Sequence, residues 1–291
     1  MLNYDIEYRY ALHKILHTGY EYLDPNRKGV KRKELGFLHL KFKADVGYPI
    51  LTLRRVPFKN AVSELILFLK GVTDIREYWK QGIKFWDQDV LNFHNLESFD
   101  LAVEHQFDMG KIYAYQYRKL QGMDQIDEVF TNFKKNPMRT DLVVTAWNPT
   151  DLKNMCLKPC HHLFQIVGEN DGFNIVFNMK GVDLVLGFPV NIQHYYLLGK
   201  ILEQWSGYRF KYLVANLNKV HIYDNQYELA EQLINSEGSE VQPNLQIQNI
   251  DNTLSAFDLV ESLDKSMFTL HNYFPDEKLK PVKMLAYEKD I

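Results

Sequence analysis

With 291 residues, 46% of them hydrophobic and 14% aromatic, the chain is long enough to bury a large core as a single domain spanning 1–291. Its 34 basic and 37 acidic residues leave a formal charge of -3, which argues against the broad positive footprint of a dedicated nucleic-acid binder. Two cysteines four positions apart cannot build a disulfide framework, no apolar run reaches the roughly 20 residues of a membrane span, and the start MLNYDIEYRY lacks a signal peptide's basic and apolar regions, so a reduced, cytoplasmic setting is expected.

Taken in chain order, residues 4–18 space Ile6, Ala11, Leu12, Ile15 and Leu16 as one helix face, ended by the loop DPNRKG at 24–29. Arg27, Lys28, Lys31, Arg32 and Lys33 crowd that first loop, which reads as a solvated charged segment. In FLHLKFKAD, Leu38, Leu40 and Phe42 alternate with His39, Lys41 and Lys43, the period of a half-buried strand. VSELILFLKG is apolar nearly all round and stops at Gly71, so Glu64 lies in a helix whose other neighbours favour a dry environment. LVVTAW at 142–147 reads as a buried strand. LFQIV, ENDG and FNIVFNM read as a hairpin whose Asp171-Gly172 supplies the positive φ of a tight turn. Helical spacing runs from Asn191 to Trp205 with Gly207 as its stop. RFKYLVAN, VHIY and NLQIQNI add strands, and YELAEQL adds a helix. Strands flanked by helices in this way indicate an α/β (α+β) class with one main sheet.

Chemistry concentrates around LKPCHH at 157–162. A thiolate is the best side-chain nucleophile near neutral pH, but Cys160 needs a cationic neighbour or a base to form one. His161 and His162 are adjacent, so on a strand they point to opposite faces. Cys156, Cys160, His161 and His162 lack the second, separated ligand pair of common zinc sites, and no metal is expected. His221 and Tyr223 sit two apart, which on a strand sends both polar tips to one side, suited to gripping a hydroxyl or phosphate or to a plain structural hydrogen bond. Asp183 and Asn191 bracket LVLGFPV, whose Gly187 and Pro189 imply irregular backbone able to bring both into a cleft.

In this order the pieces resemble the thymidylate synthase family, which includes the nucleotide hydroxymethylases. AWNPTDLKNMCLKPCHH at 146–162, DLVLGFPVNI at 183–192, HIY at 221–223, SELILFLKGVTDI, FWD at 85–87 and DMGKIYAYQYR all resemble family segments, and together they cover most of the chain. The resemblance implies a three-layer fold with a large bent mixed sheet, assembled as a homodimer with sheets packed back to back. It also implies a chemistry in which Cys160 adds to C6 of a pyrimidine nucleotide and C5 then attacks the one-carbon unit of 5,10-methylenetetrahydrofolate. Hydride from the folate leads to a methyl group; water leads to hydroxymethyl.

On the same resemblance Glu64 manages proton transfers and Tyr113 assists loss of the C5 proton. Asn191 reads the base, its carboxamide favouring uracil. His221 and Tyr223 hold the sugar hydroxyl, while Arg27, Arg139 and Lys180 serve the phosphate, and His161 and Gln165 fall with the substrate. Asp183 is the pterin-binding carboxylate and also takes part in catalysis; Trp86, Asp89 and Gly187 line the folate.

Several positions depart from the family pattern. Lys180 and Gly181 stand where an arginine and a serine are usual, and the expected arginine pair of the arm that crosses the dimer falls on Thr140 and Asp141. Lysine lacks arginine's bidentate fork, so phosphate binding is expected to be weaker or differently arranged. Asp89 replaces a second tryptophan, Lys219 an acidic residue, and the chain runs on with LAYEKDI. Hydride outcompetes water only in a water-poor pocket, so the aspartate and altered tail favour 5-hydroxymethylation of dUMP. Thymidylate synthesis is the alternative, and a catalytically inactive binding or regulatory protein, on RNA through residues 27–33, a further one.

Overall fold

The computed structural model describes residues 3–25, 27–248, 250–279 and 282. Helix α1 (Asn3–Thr18) leads into strands β1 (Tyr20–Leu23) and β2 (Lys31–Lys43), followed by helices α2 (Phe58–Leu69), α3 (Ile75–Lys80), α4 (Asp87–His94), α5 (Tyr113–Lys119) and α6 (Gln125–Lys135). Strands β3 (Val143–Thr145), β4 (His161–Glu169), β5 (Gly172–Met179) and β6 (Val182–Asp183) come next, then α7 (Phe188–Ser206) and β7 (Phe210–Tyr223). Helix α8 (Tyr227–Asn235), strand β8 (Asn244–Ile247), helix α9 (Ala256–Ser262) and strand β9 (Phe268–His271) complete the described elements. The main sheet runs β1-β2-β7-β5-β4-β3, with β6 also paired to β7. It is mixed: β5 and β6 lie parallel to β7, and the other pairings are antiparallel. Helix α7 supplies the crossover that a parallel β5–β7 pairing requires.

The inward face of α1 is not quite the one its aliphatic spacing suggests. Ile6 is 49% exposed, and Tyr4, Tyr8, Ala11, Leu12, Ile15 and Leu16 form the buried stripe. Tyrosine bodies are apolar enough to take core positions when their hydroxyls find acceptors, as Tyr8 does at the Leu184 carbonyl, 3.0 Å away. In α7, Ile192, Leu198, Ile201, Leu202 and Trp205 are all buried, each aliphatic contributing about 1.5–3 kcal/mol. Tyr195 stacks on Phe177 of β5 at 4.2 Å, which fixes the helix over the sheet. Gly207 ends α7 at φ 81, a left-handed cap that only glycine adopts without strain.

Three local expectations change. Lys31, Arg32 and Lys33 belong to strand β2 rather than a solvated loop, and Arg32 is buried between Asp24 (2.6 Å) and Glu34 (2.7 Å). Burial pushes the Glu34 carboxyl up, but hydrogen bonds from Tyr22, Tyr20 and Lys219 and the charge of Arg32 outweigh it and hold the group below its usual range. RFKYLVAN and VHIY form one strand, β7, kinked where Lys219 takes φ 49 and sends its ammonium to Glu34 at 2.9 Å. Gly172 does not supply a positive φ: the hairpin turns on Asn170 and Asp171 with Glu169 paired to Gly172. Glycine is required there because a Cβ would sit 2.1 Å from the Arg209 carbonyl oxygen.

Candidate active site

A cleft with a cavity volume of about 170 Å³ opens between α2, the segment before and in α4, the start of α5, the residues entering β4, and the turn from β6 into α7. Arg27, Glu64, Trp86, Asp89, Tyr113, Cys160, His161, Asp183, Gly187 and Asn191 all line it, so residues scattered over 165 positions of sequence meet in one place. Phe85, Leu157, Met179, Leu186 and Val190 make the remaining walls largely apolar.

Cys160 immediately precedes β4. Its backbone N–H donates to the Tyr113 hydroxyl at 2.6 Å and its carbonyl accepts the Lys180 N–H at 2.9 Å, so the backbone is pinned from two sides while the half-buried side chain faces the cleft. Cys156 keeps some exposed surface, but burial of its thiol, and then the charge of Asp89, push it well above the ordinary thiol range. Of the two thiols, the one in the cleft is the nucleophile candidate.

Burial sets the state of the groups beside it. The Tyr113 phenol is raised well above its usual range, first by burial and then by Cys160, so it stays protonated at neutral pH. His161 stacks on it with ring centres 4.2 Å apart, and its Nδ1 is 2.7 Å from the Tyr195 hydroxyl. Burial, then His194 and His162, lower the His161 imidazole well below its usual range, which keeps it neutral.

Glu64, 2% exposed on α2, has the partner its apolar surroundings demand. The Trp86 indole N–H donates to Oε1 at 2.7 Å, and His194 Nε2 lies 3.1 Å from Oε2. Trp86 therefore lines the cleft and also orients a carboxylate. Asp183 is tied down: Oδ1 accepts the Val185 and Leu186 N–H groups at 3.1 and 3.0 Å, and Oδ2 accepts the Gln226 amide at 2.9 Å. Asn191 stands in the first turn of α7, its N–H bonded to the Gly187 carbonyl.

His221 and Tyr223 are neighbours on β7, ring centres 4.7 Å apart, with His221 paired opposite Asp183. His221 Nδ1 bonds the Lys219 carbonyl at 2.7 Å, which makes Nδ1 the protonated nitrogen and leaves Nε2 a buried acceptor without a protein partner among the described residues. The Arg27 guanidinium lies over the Tyr223 ring at 4.8 Å and links this pair to the cleft.

Besides His221 and Tyr223, three further candidates lie outside the cleft lining. Arg139 is exposed and bonded to Asp141 at 2.5 Å; the Gln165 amide donates to the Thr140 carbonyl at 3.2 Å; the Lys180 side chain is exposed. His194 is the group sequence reasoning missed. It lies three residues after Asn191, one helical turn along the same face, and a polar residue on that apolar stripe was the available signal.

Comparison with known proteins agrees over nearly the whole chain. The thymidylate synthase family model matches residues 6–285. The chain is 33% identical over 230 residues to a thymidylate synthase of Phytoplasma mali (strain AT), spanning 74% of this chain and 79% of that one. It is 32% identical over 237 residues to a thymidylate synthase of human herpesvirus 8 type P, with 77% and 69% covered. Among solved structures, thymidylate synthase from T4 phage superimposes with a TM-score of 0.85 at 29% identity, covering 96% of this chain and 99% of that chain.

Proposed function

The chain belongs to the thymidylate synthase family, and from that premise we propose that it converts dUMP to dTMP by reductive C5 methylation. The observation that carries this reading is the convergence of Cys160, Tyr113, Glu64 and Asn191 on one cleft. Cys160 as thiolate bonds to C6 of the uracil ring, and the electron pair released makes C5 a carbon nucleophile. Asn191 donates to O4 and accepts from N3–H, which favours uracil. Glu64, oriented by Trp86, manages protons at the ring, and Tyr113 assists departure of the C5 proton. Arg27 serves the phosphate and the His221–Tyr223 pair the sugar.

The apolar walls from Phe85, Trp86, Leu157, Leu186 and Val190 fit a flat pterin lying against the base, with Asp183 the anchoring carboxylate. When bound, 5,10-methylenetetrahydrofolate supplies the methylene carbon and the hydride. A homodimer belongs to the same reading. Leu40 and Phe42 of β2 turn into the core, whereas Phe37, at 77% exposure, stands on a surface that a second copy's sheet would cover.

From the sequence alone hydroxymethylation was the favoured outcome; the names of the relatives support methylation better. One observation keeps hydroxymethylation as the second reading: Asp89 lines the cleft, where a carboxylate attracts water. LAYEKDI, the other basis for it, lies outside the described residues. The inactive RNA-binding reading has less support, since Arg32 of its basic segment is buried between Asp24 and Glu34. No helix among the described residues is long and apolar enough to cross a membrane.

The test offers 5,10-methylenetetrahydrofolate with dUMP, dCMP, UMP and CMP in turn, following dihydrofolate by absorbance and the product by mass. Methylation yields dihydrofolate with a product heavier by CH2. A product heavier by CH2O without dihydrofolate establishes the second reading, and no product with any substrate contradicts both.

A further inference from the structure

His194 is a family-independent puzzle in this molecule: a fully enclosed imidazole, 2% exposed, beside the carboxylate to which the reaction assigns proton transfer. Its Nε2 is 3.1 Å from Glu64 Oε2, the oxygen left free by Trp86. The distance suits a hydrogen bond but the direction of the N–H does not, and neither ring nitrogen has a hydrogen-bond partner among the described residues. A buried polar group without a partner is costly, which favours a ring orientation that places the N–H on the carboxylate 3.1 Å away.

The surroundings favour that contact over any other. Phe68 meets the His194 ring edge-on at 5.8 Å, and His161 meets it at 6.0 Å, so the ring is confined to the neighbourhood of Glu64. Of the other ionisable groups near this carboxylate, Tyr113 and Tyr78 are phenols kept protonated by burial, and His161 has its Nδ1 engaged with Tyr195. Oε1 is already occupied by the Trp86 indole. A second donor at Oε2 would fix the plane of the carboxylate, which one hydrogen bond leaves free to rotate.

We propose that His194 is a positioning residue for Glu64: its Nε2–H donates to Oε2 and, with the Trp86 N–H on Oε1, clamps the carboxylate in the orientation the proton transfers need. This rests on the reading that Glu64 manages protons at the pyrimidine ring. It adds a residue from α7, the helix that also carries Asn191, so base recognition and carboxylate orientation are set by one rigid element.

Two measurements test it. In the first, the side-chain nitrogens of the histidines are observed by 15N NMR in the wild-type protein and in Glu64→Gln, with His194→Gln identifying the His194 signals. A proton on Nε2 whose resonance moves in Glu64→Gln supports the clamp; a bare Nε2, or a resonance indifferent to Glu64→Gln, overturns it. This measurement needs no turnover, so failure to convert dUMP would count against the proposed reaction without bearing on the clamp. In the second, His194→Phe keeps the ring shape without a donor, and His194→Gln restores one. The clamp predicts kcat on dUMP about tenfold lower in His194→Phe, the scale of one hydrogen bond to a charged group, with KM for dUMP changed by less than about twofold and kcat largely recovered in His194→Gln. Equal kcat in folded His194→Phe and wild type overturns the proposal, as does an equal loss in both variants.

Discussion

The Tyr113 hydroxyl accepts the backbone N–H of Cys160 at 2.6 Å, so the proposed assistant in C5 proton loss also holds the proposed nucleophile's backbone. Tyr113→Phe leaves that buried N–H without its acceptor and removes the phenol from C5. The prediction is a fall in kcat on the order of 10- to 100-fold, with release of tritium from 5-tritiated dUMP impaired more than adduct formation at Cys160. Equal impairment of the two steps would limit Tyr113 to holding the loop.

Asn191 faces the cleft from the first turn of α7. Its carboxamide matches uracil by donating to O4 and accepting from N3–H; a carboxyl group in its place matches the amino group of cytosine. Asn191→Asp should lower kcat/KM for dUMP and raise it for dCMP, moving the ratio by about 100-fold or more. An unchanged ratio in steady-state kinetics on both nucleotides would remove Asn191 from base recognition.

How much of this was legible in the sequence depended on the range of the cause. Helix α1, the end of α2 at Gly71 and the stop of α7 at Gly207 follow from local periodicity and punctuation, and the β4–β5 hairpin forms where its apolar runs indicate, though without the positive φ expected of Gly172. The cleft residues came from ordered motifs rather than from spacing. What failed was long-range. The burial of Arg32 depends on Asp24, Glu34 and two tyrosines that only strand pairing brings together, and Gly172 is there for the distant Arg209 carbonyl. Joining RFKYLVAN to VHIY required a kink at Lys219 that local pattern does not announce. His194 was passed over because Glu64, the carboxylate it lies beside, is 130 residues away.

The Arg32–Glu34–Lys219 cluster gives a stability prediction. Glu34 accepts from Tyr20, Tyr22, Arg32 and Lys219 with no solvent access to its side chain. Glu34→Ala leaves the Arg32 charge with Asp24 alone, and the expected loss is about 3 kcal/mol, the scale of breaking a buried ion pair. Urea denaturation monitored by circular dichroism measures it; a loss below about 1 kcal/mol would mean that solvent replaces the carboxylate.

Asp5 predicts a pH dependence. It is fully buried, accepts the Thr52 N–H at 3.1 Å and the Thr52 hydroxyl at 2.5 Å, and burial pushes its carboxyl up to about 6. A carboxyl raised in the folded state stabilises fully below its unfolded value, and that contribution is lost as pH rises through about 6. Asp5→Asn does not titrate, so between about pH 4 and pH 7 its unfolding free energy should improve relative to wild type by about 2 kcal/mol. A difference between the two proteins that stays constant across this window in urea titrations would contradict the assignment.

The proposed chemistry depends above all on the Cys160 sulfur bonding to C6 of the uracil ring. Incubating the protein with 5-fluoro-dUMP and 5,10-methylenetetrahydrofolate, denaturing it and mapping the modified peptide by mass spectrometry tests this directly. The predicted result is a denaturation-resistant adduct carrying both ligands on the peptide that contains Cys160, and none in Cys160→Ser. No adduct on wild-type protein that binds both ligands, or dUMP turnover surviving Cys160→Ser, would contradict it.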